Sequence, residues 1–282
     1  MIAFGLMKGQ PKILLIAGPT ASGKSSRAVE EALARGGEVV SVDSRQVYRM
    51  LDIGTEKITA EEMREVPHHL IDIRDPKETY SAGEFVEDAT RLIRDISSRG
   101  KLPILAGGTH FYFDALLHGL PKETPPNLAL QKTLERLTTE ELFARIRERD
   151  SRRAAELDPK NRRRLIRALE IIATHGRVPR RKNGEYETEW IILDLPPEEL
   201  GKRIETRLRN AFARGLMDEV WRVREYVGDT RLNEFGLEYR IVGEYLRGER
   251  SEESLLPALT AKLLQLARHQ RAWLRKLSST QE

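Results

Sequence analysis

The sequence predicts an α/β fold, a parallel sheet flanked by helices with a small helical insertion, and three observations carry that prediction. Five short β-like runs alternate with amphipathic stretches: "KILLIA" from Lys12, "GEVVSVD" from Gly37, "HLIDI" from His69, "LPILAGG" from Leu102 and "EWIILDL" from Glu189. This is the βαβ rhythm, in which a crossover helix returns the chain to a parallel neighbour. The first run leads into "GPTASGKS" at Gly18 to Ser25, and a proline-dense break, "HGLPKETPPN" from His118 to Asn127, interrupts the rhythm before a helical, charged stretch that reaches about His175.

The loop comes first in the chain. Gly18, Gly23, Lys24 and Ser25 stand at the spacing G-x-x-x-x-G-K-S, with Pro19, Thr20, Ala21 and Ser22 between the glycines. Glycines let the backbone wrap an anion, Lys24 adds a positive charge, and the Ser25 hydroxyl can ligate Mg²⁺. A helix expected from about Ser25 to Ala34 presents its positive end to the same anion. A strand before and a helix after make the pattern a P-loop, and the sheet P-loop NTPase-like. The loop predicts a diphosphate-bearing ligand and leaves its identity open.

Open parallel sheets gather ligands at the carboxyl ends of their strands. At the second such end stands Asp43, in "VVSVDSRQVYRMLDIGTEK". It can serve as a Mg²⁺ ligand, a general base or a helix cap. Ser44, Gln46 and Tyr48 form a hydrogen-bonding and stacking set suited to a nucleobase, with Thr55 and Lys57 following. His68 and His69, being adjacent on a strand, point to opposite faces and are expected to be structural. Gly107, Gly108 and Thr109 end the fourth strand with backbone N–H groups, a hydroxyl and a helix start. A second break, "HGRVPRRKNGEYE", precedes the last strand, and helices follow to about Leu277. The expected division is therefore 1–120 for the first part of the core, 121–160 for a small helical insertion, and 161–282 for core completion, which includes the "RRLIR" helix. Trp190, Trp221 and Trp273 are expected in the core.

Composition narrows the classes. The 282 residues include no cysteine, which excludes disulfides, cysteine-ligated zinc and a thiol nucleophile. No run approaches the roughly 18 apolar residues of a membrane span, and the N-terminal patch around Lys8 and Lys12 lacks a signal-peptide core, so a cytoplasmic protein without membrane contact is expected. The net charge of +4 is unevenly spread: Arg145 to Lys182 holds 14 Lys or Arg against 5 Asp or Glu. Blocks such as "NRRRLIR" suit the phosphates of RNA or DNA, where each contact releases counterions.

Taken together, "GPTASGKS", "DSRQVYRMLDIGTEK", "VPHHLIDI", "YSAGEF", "LPILAGGTHFYFDALLHG" and "RRLIRALEI" resemble the tRNA dimethylallyltransferase family, the bacterial isopentenyl-transferring enzymes. The likeness covers Lys12 to Ile172 in blocks and resumes in "GLMDEV", "EFGLEYRIVGEYLRGE" and "ARHQRAWLR". It implies transfer of a dimethylallyl group from its diphosphate to N6 of the adenosine 3′ of the anticodon, in tRNAs reading codons that begin with U. The partners implied are dimethylallyl diphosphate, Mg²⁺ and a tRNA anticodon stem-loop, and a monomer is expected. The loop from Gly18 to Ser25 then holds the donor's diphosphate, so no phosphoryl group is transferred.

Residue by residue, the resemblance makes Asp43 the base for the adenine amine and places Thr109 at the channel between donor and base. Lys24 neutralises the leaving group. Ser44, Arg45 and Gln46 contact tRNA with Asp43 and Thr109, as does the stretch Arg163, Arg164, Leu165, Ile166 and Arg167. An allylic cation in formation needs its leaving group's charge neutralised, the amine needs a proton acceptor, and the adenine must be flipped out of its stack.

The chain departs from the family pattern at Asn161, commonly aspartate, at Asp158, commonly histidine, and along the last helix at His269, Ala272 and Leu274. There Arg268, Arg271 and Arg275 are the available RNA contacts. The stretch from His118 to Asp158 is short for the family's inserted domain, and a chain without cysteine cannot carry the zinc finger of eukaryotic members. Two other classes are weighed against this one. A small-molecule kinase would use Arg163, Arg164 and Arg167 as a lid over ATP, which leaves "DSRQVYR" and "GGTHFYF" unexplained. A non-catalytic RNA-binding module predicts loss of Lys24 or Asp43, and both are present.

Overall fold

The computed structural model describes residues 10–120, 127–179 and 185–278. The prolines of the first expected break, the "RRKNG" of the second, and Lys8 lie outside the described residues. The chain divides into two compact units, one of residues 1–116 with 184–282 and a smaller one of 117–183.

The larger unit is built on a five-stranded sheet. Strands β1 (Lys12–Ala17), β2 (Gly37–Val42), β3 (His68–His69), β4 (Leu102–Gly107) and β5 (Glu187–Ile192) are ordered β3-β2-β4-β1-β5, and every pair is parallel. Five of the six residues of β1 and all six of β2 are buried, as expected of a parallel sheet covered on both faces. Helix α1 (Lys24–Arg35) follows β1, α2 (Ala60–Met63) and α3 (Ala82–Ser98) separate β2 from β4, and α4 (His110–His118) follows β4. Capping boxes at Thr59 with Glu62 and at Ser81 with Glu84 fix the starts of α2 and α3.

The third strand is shorter than "HLIDI" predicts. Leu70 and Asp72 take left-handed φ values of 61° and 56°, which ends the extended run, and Asp72 instead pairs with Lys57 at 2.5 Å. Both histidines of β3 have structural partners, His68 Nδ1 with the Val66 carbonyl and His69 Nε2 with Glu38, each at 2.8 Å. Glu38, buried on β2, is held well below the usual carboxylate range by Arg99, with Lys101 and His69 adding to it.

After β5 the chain forms α9 (Pro197–Ala213), α10 (Leu216–Leu232), α11 (Leu237–Leu246) and α12 (Leu255–Ser278). Glu219 of α10, 3 % exposed, ties this layer to the segment after β2. Its carboxylate accepts from the N–H groups of Asp52, Ile53 and Gly54 at 2.7 to 3.0 Å and from the Tyr239 hydroxyl at 2.7 Å. A Cβ on Gly54 would come within 2.8 Å of the Tyr239 ring, so "DIGTEK", "GLMDEV" with Glu219 and "EFGLEYRIVGEYLRGE" with Tyr239 meet in one fit. In Glu219→Gln either orientation of the amide sets an NH₂ against N–H donors. We expect a loss of about 2 kcal/mol of stability, read by urea melts; an unchanged midpoint would rule out this anchor.

The smaller unit contains α5 (Leu128–Leu134), α6 (Thr139–Arg149), α7 (Ser151–Glu156) and α8 (Arg162–His175). The expected boundary at 160 is displaced. Leu165, Ala168, Leu169 and Ile172 form one face of α8 and pack with Leu142 and Ile146 of α6, so the "RRLIR" helix belongs to the smaller unit and not to core completion. Asn161 accepts from the Arg164 N–H at 3.2 Å and caps α8, a task asparagine performs as well as aspartate. The tryptophans divide: Trp221 is 53 % exposed, against the expectation of a core residue, whereas Trp273 stacks on His110 with ring centroids 4.3 Å apart.

Candidate active site

A cavity of about 820 Å³ opens at the carboxyl ends of β1, β2 and β4, and it lies wholly within the larger unit. Thr20 to Ser25, Asp43 to Gln46 and Gly107 to Thr109 line it, so three strand ends distant in sequence meet at one place.

The loop after β1 has the form of an anion cradle. A Cβ on Gly18 would lie 2.5 Å from Ser22 Oγ and 2.7 Å from the Leu193 carbonyl, which requires glycine. Ala21 and Gly23 have φ of 63° and 87°, and Gly23 starts α1. That helix has neither a side-chain cap nor an acidic residue in its first turn, so its leading N–H groups and positive end are left for an anion. Ser22 Oγ is buried without a hydrogen-bond partner among the described residues. Lys24 Nζ donates to the Pro19 carbonyl at 2.7 Å. Burial lowers the Lys24 ammonium to about 8 and Arg207 adds to the fall, while Asp43 opposes it. The exposed Ser25 lies in the first turn of α1.

Thr20 is placed differently from the rest of its loop. Its N–H donates to Gln270 Oε1 at 2.8 Å, and its hydroxyl accepts from Arg207 at 2.7 Å. The Thr20 amide is thus engaged by α12 and is not free for a diphosphate.

At the end of β2, Asp43 Oδ1 accepts from the N–H groups of Arg45 and Gln46 at 2.8 and 3.3 Å; this holds a turn, and no helix starts here for Asp43 to cap. Its Oδ2 takes no hydrogen bond from the described residues, so a turn-holding oxygen and a free one coexist on the same carboxylate. The Ser44 N–H donates to Thr109 Oγ1 at 3.1 Å, bringing Thr109 beside Asp43. Gly107 permits this approach, because a Cβ there would sit 2.1 Å from the Val42 carbonyl.

The expected nucleobase set is only partly at the site. Tyr48 is buried and packs on Phe235 with centroids 5.3 Å apart. Lys57, which follows this set, borders the cavity with its ammonium buried against Asp52, Asp72 and the Tyr48 carbonyl. Gln46 lines the cavity, but its Nε2 already donates to the carbonyls of Thr55 and Glu56 at 3.2 Å. Along the basic stretch of the smaller unit, Arg163, Arg164 and Arg167 are exposed, Ile166 is half-buried and Leu165 is fully buried. The Leu165 side chain is a core residue, which removes it as a side-chain contact for RNA. Arg271 pairs with Asp194 at 2.7 Å, leaving Arg268 and Arg275 as the exposed arginines of that helix.

Several lining residues had no sequence signal of their own. Arg207 of α9 bridges Thr20 and Glu238 of α11, while Arg214, Lys262 and Gln270 complete the far wall. They lie between about 180 and 250 residues along the chain from the loop they face. Only Gln270 falls within a recognised block, "ARHQRAWLR". Among the described residues no group of three or more His, Cys, Asp or Glu side chains could hold a metal ion, and no helix is long and apolar enough to cross a membrane.

Fold and site together define a P-loop protein whose loop faces a carboxylate and a hydroxyl across one cavity. The sequence profile of the IPP transferase family matches residues 46–277. A tRNA dimethylallyltransferase of Thermomicrobium roseum is 43 % identical, the alignment covering 97 % of this chain and 86 % of that protein. One from Streptococcus pneumoniae is 42 % identical over 94 % of this chain and 89 % of its own length. Among solved structures, the full-length tRNA isopentenylpyrophosphate transferase of Bacillus halodurans superposes with a TM-score of 0.72 at 36 % identity, covering 94 % of this chain and 87 % of that one. A eukaryotic dimethylallyltransferase captured acting on tRNA gives 0.77 at 27 % identity, covering 93 % and 69 %. The chain belongs to the IPP transferase family.

Proposed function

We propose that the protein transfers the dimethylallyl group of dimethylallyl diphosphate to N6 of the adenosine 3′ of the anticodon in tRNAs that read codons beginning with U. The observation that carries this reading is the meeting of the anion loop with Asp43 and Thr109 in one cavity, on a chain of this family. The loop binds the donor through the amides at the start of α1, Lys24 and the orphaned Ser22 hydroxyl, with Arg207 as a further cation. The C1–oxygen bond of the donor breaks as N6 attacks C1, and the diphosphate leaves into positive surroundings. Asp43 takes the N6 proton on its free oxygen while its other oxygen keeps the turn in shape.

Mg²⁺ suits the donor set, since Ser25 and Asp43 offer hard oxygen ligands. When bound to the diphosphate it would supply further charge neutralisation. A tRNA substrate makes the cytoplasm the expected location. The kinase reading explains the loop and leaves the carboxylate-hydroxyl pair idle.

Incubation with labelled dimethylallyl diphosphate, Mg²⁺ and total tRNA should yield isopentenyladenosine with no need for ATP. Stoichiometric ATP consumption would reverse the conclusion in favour of a kinase. Arg163 and Arg164, exposed and without ion pairs among the described residues, are assigned to tRNA phosphates. Replacing either with alanine should raise the KM for tRNA, reduce the salt slope of binding by about one, and leave donor affinity unchanged. A fall in donor affinity instead would move these arginines to the diphosphate site.

A further inference from the structure

One buried side chain joins the donor loop to the strand end that carries Thr109. Gln270 of α12 accepts the Thr20 N–H on Oε1 at 2.8 Å and donates from Nε2 to the Gly108 carbonyl at 3.2 Å. It is 7 % exposed, so both bonds are made away from bulk water, where an abandoned backbone group is costly. An N–H and a C=O are satisfied together only by a side chain that offers an acceptor and a donor at one end. Gly108 belongs to the same fit, since a Cβ there would approach Gln270 Nε2 to 3.0 Å.

The connection continues on both sides. Gly108 is bonded to Thr109, whose hydroxyl takes the Ser44 N–H beside Asp43, and Thr20 precedes Lys24 in the same loop. The geometry points to Gln270 as a positioning residue that sets the spacing between the diphosphate and the Asp43–Thr109 side of the reaction. It touches no reacting atom, and the role rests on the prenyl-transfer reading above. In a displacement at C1 the attacking nitrogen and the leaving oxygen stand on opposite sides of one carbon, and a displacement of about 1 Å costs on the order of 10²-fold in rate. Donor binding uses the loop and Arg207, which stay in place without Gln270 because Arg207 holds the Thr20 hydroxyl independently. Loss of the link therefore lowers the chemical step and spares donor affinity.

Gln270→Leu removes both bonds, and Gln270→Glu keeps the acceptor for Thr20 while losing the donor for Gly108. With donor and tRNA saturating, the single-turnover rate of Q270L should fall roughly 30- to 100-fold, with donor affinity by calorimetry within about threefold of wild type. Q270E should lie between the two. In the double variant with Thr109→Ala the losses should be far from additive, because both act through one turn. A purely structural role would give additive losses and a donor affinity that falls with the rate, and either result overturns the assignment, as does a wild-type rate in Q270L. If Q270L does not fold, as judged by melts, the rate, donor affinity and T109A cycle of Q270E decide in the same way. Wild-type protein that makes no prenylated tRNA would refute the functional reading itself, whereas active wild type with an equally active Q270L refutes only the role of Gln270.

Discussion

In Asp43→Asn the single-turnover rate of transfer should fall by about 10² to 10⁴-fold, the range for a lost general base, while the fold survives. Asparagine retains the Oδ1 acceptor that holds the Arg45 and Gln46 N–H groups, so the turn at the end of β2 keeps its shape. Because the amide is nearly isosteric and keeps both bonds, this half-buried position should lose no more than about 1 kcal/mol of stability. Only proton acceptance at the second atom is removed, and binding of donor and tRNA should change little. Were Asp43 chiefly a Mg²⁺ ligand, the same substitution would weaken donor binding and added Mg²⁺ would restore part of the rate. Were it only a brace for the turn, turnover would stay within a few-fold of wild type. Single-turnover rates across a Mg²⁺ titration, with melts alongside, distinguish the three, and near-normal turnover would reject Asp43 as the base.

Lys24→Ala should reduce transfer by about 10³-fold, the loss of roughly 4 kcal/mol of charge stabilisation in a closed site, and should weaken donor binding as well. The lysine also predicts a pH dependence. Burial, helped by Arg207, lowers its ammonium to about 8 in the ligand-free protein, and the ammonium is the form that attracts a diphosphate. Donor affinity should therefore be level below pH 8. Above it, each further unit should cost about tenfold as the free protein loses the proton that the complex retains, with proton uptake on binding. Calorimetry of dimethylallyl diphosphate between pH 7 and 9.5 measures both effects, and the pH slope should vanish in Lys24→Ala. An affinity that stays flat to pH 9.5 in the wild type would mean that the Lys24 ammonium of the free protein does not titrate in this range, and the loss of donor binding in Lys24→Ala then tests its charge role alone.

How much was readable in the chain depended on how local each determinant is. The anion loop, its strand and its helix lie within about 25 consecutive residues, and the G-x-x-x-x-G-K-S spacing encodes backbone angles directly. The ends of β2 and β4 were legible for a similar reason, since buried apolar runs stop at polar residues that have a definite task. Asp43 illustrates the limit: its three roles were open in sequence, and in the fold no helix starts there to be capped, while Oδ1 holds a turn and Oδ2 is left for other work. Tyr48 was read as a stacking residue because its neighbours in sequence line the cavity, while Tyr48 itself is buried against Phe235. Trp221 was misplaced because an aromatic on an amphipathic helix reads as core unless one knows what covers that face.

By itself the sequence determined the P-loop, the parallel sheet that carries it, the basic helix and the family to which these belong, since each rests on contiguous residues whose conformational preferences are local. Tertiary structure alone decided that α8 packs with the smaller unit, that Glu219 captures the Asp52 to Gly54 backbone, and that Arg207 and Gln270 reach the loop from helices far along the chain. Those contacts depend on which faces of distant helices meet. A hydrogen bond across some 250 residues leaves no periodicity or spacing in the chain, because what selects glutamine at 270 is the pair of backbone groups that folding brings to it.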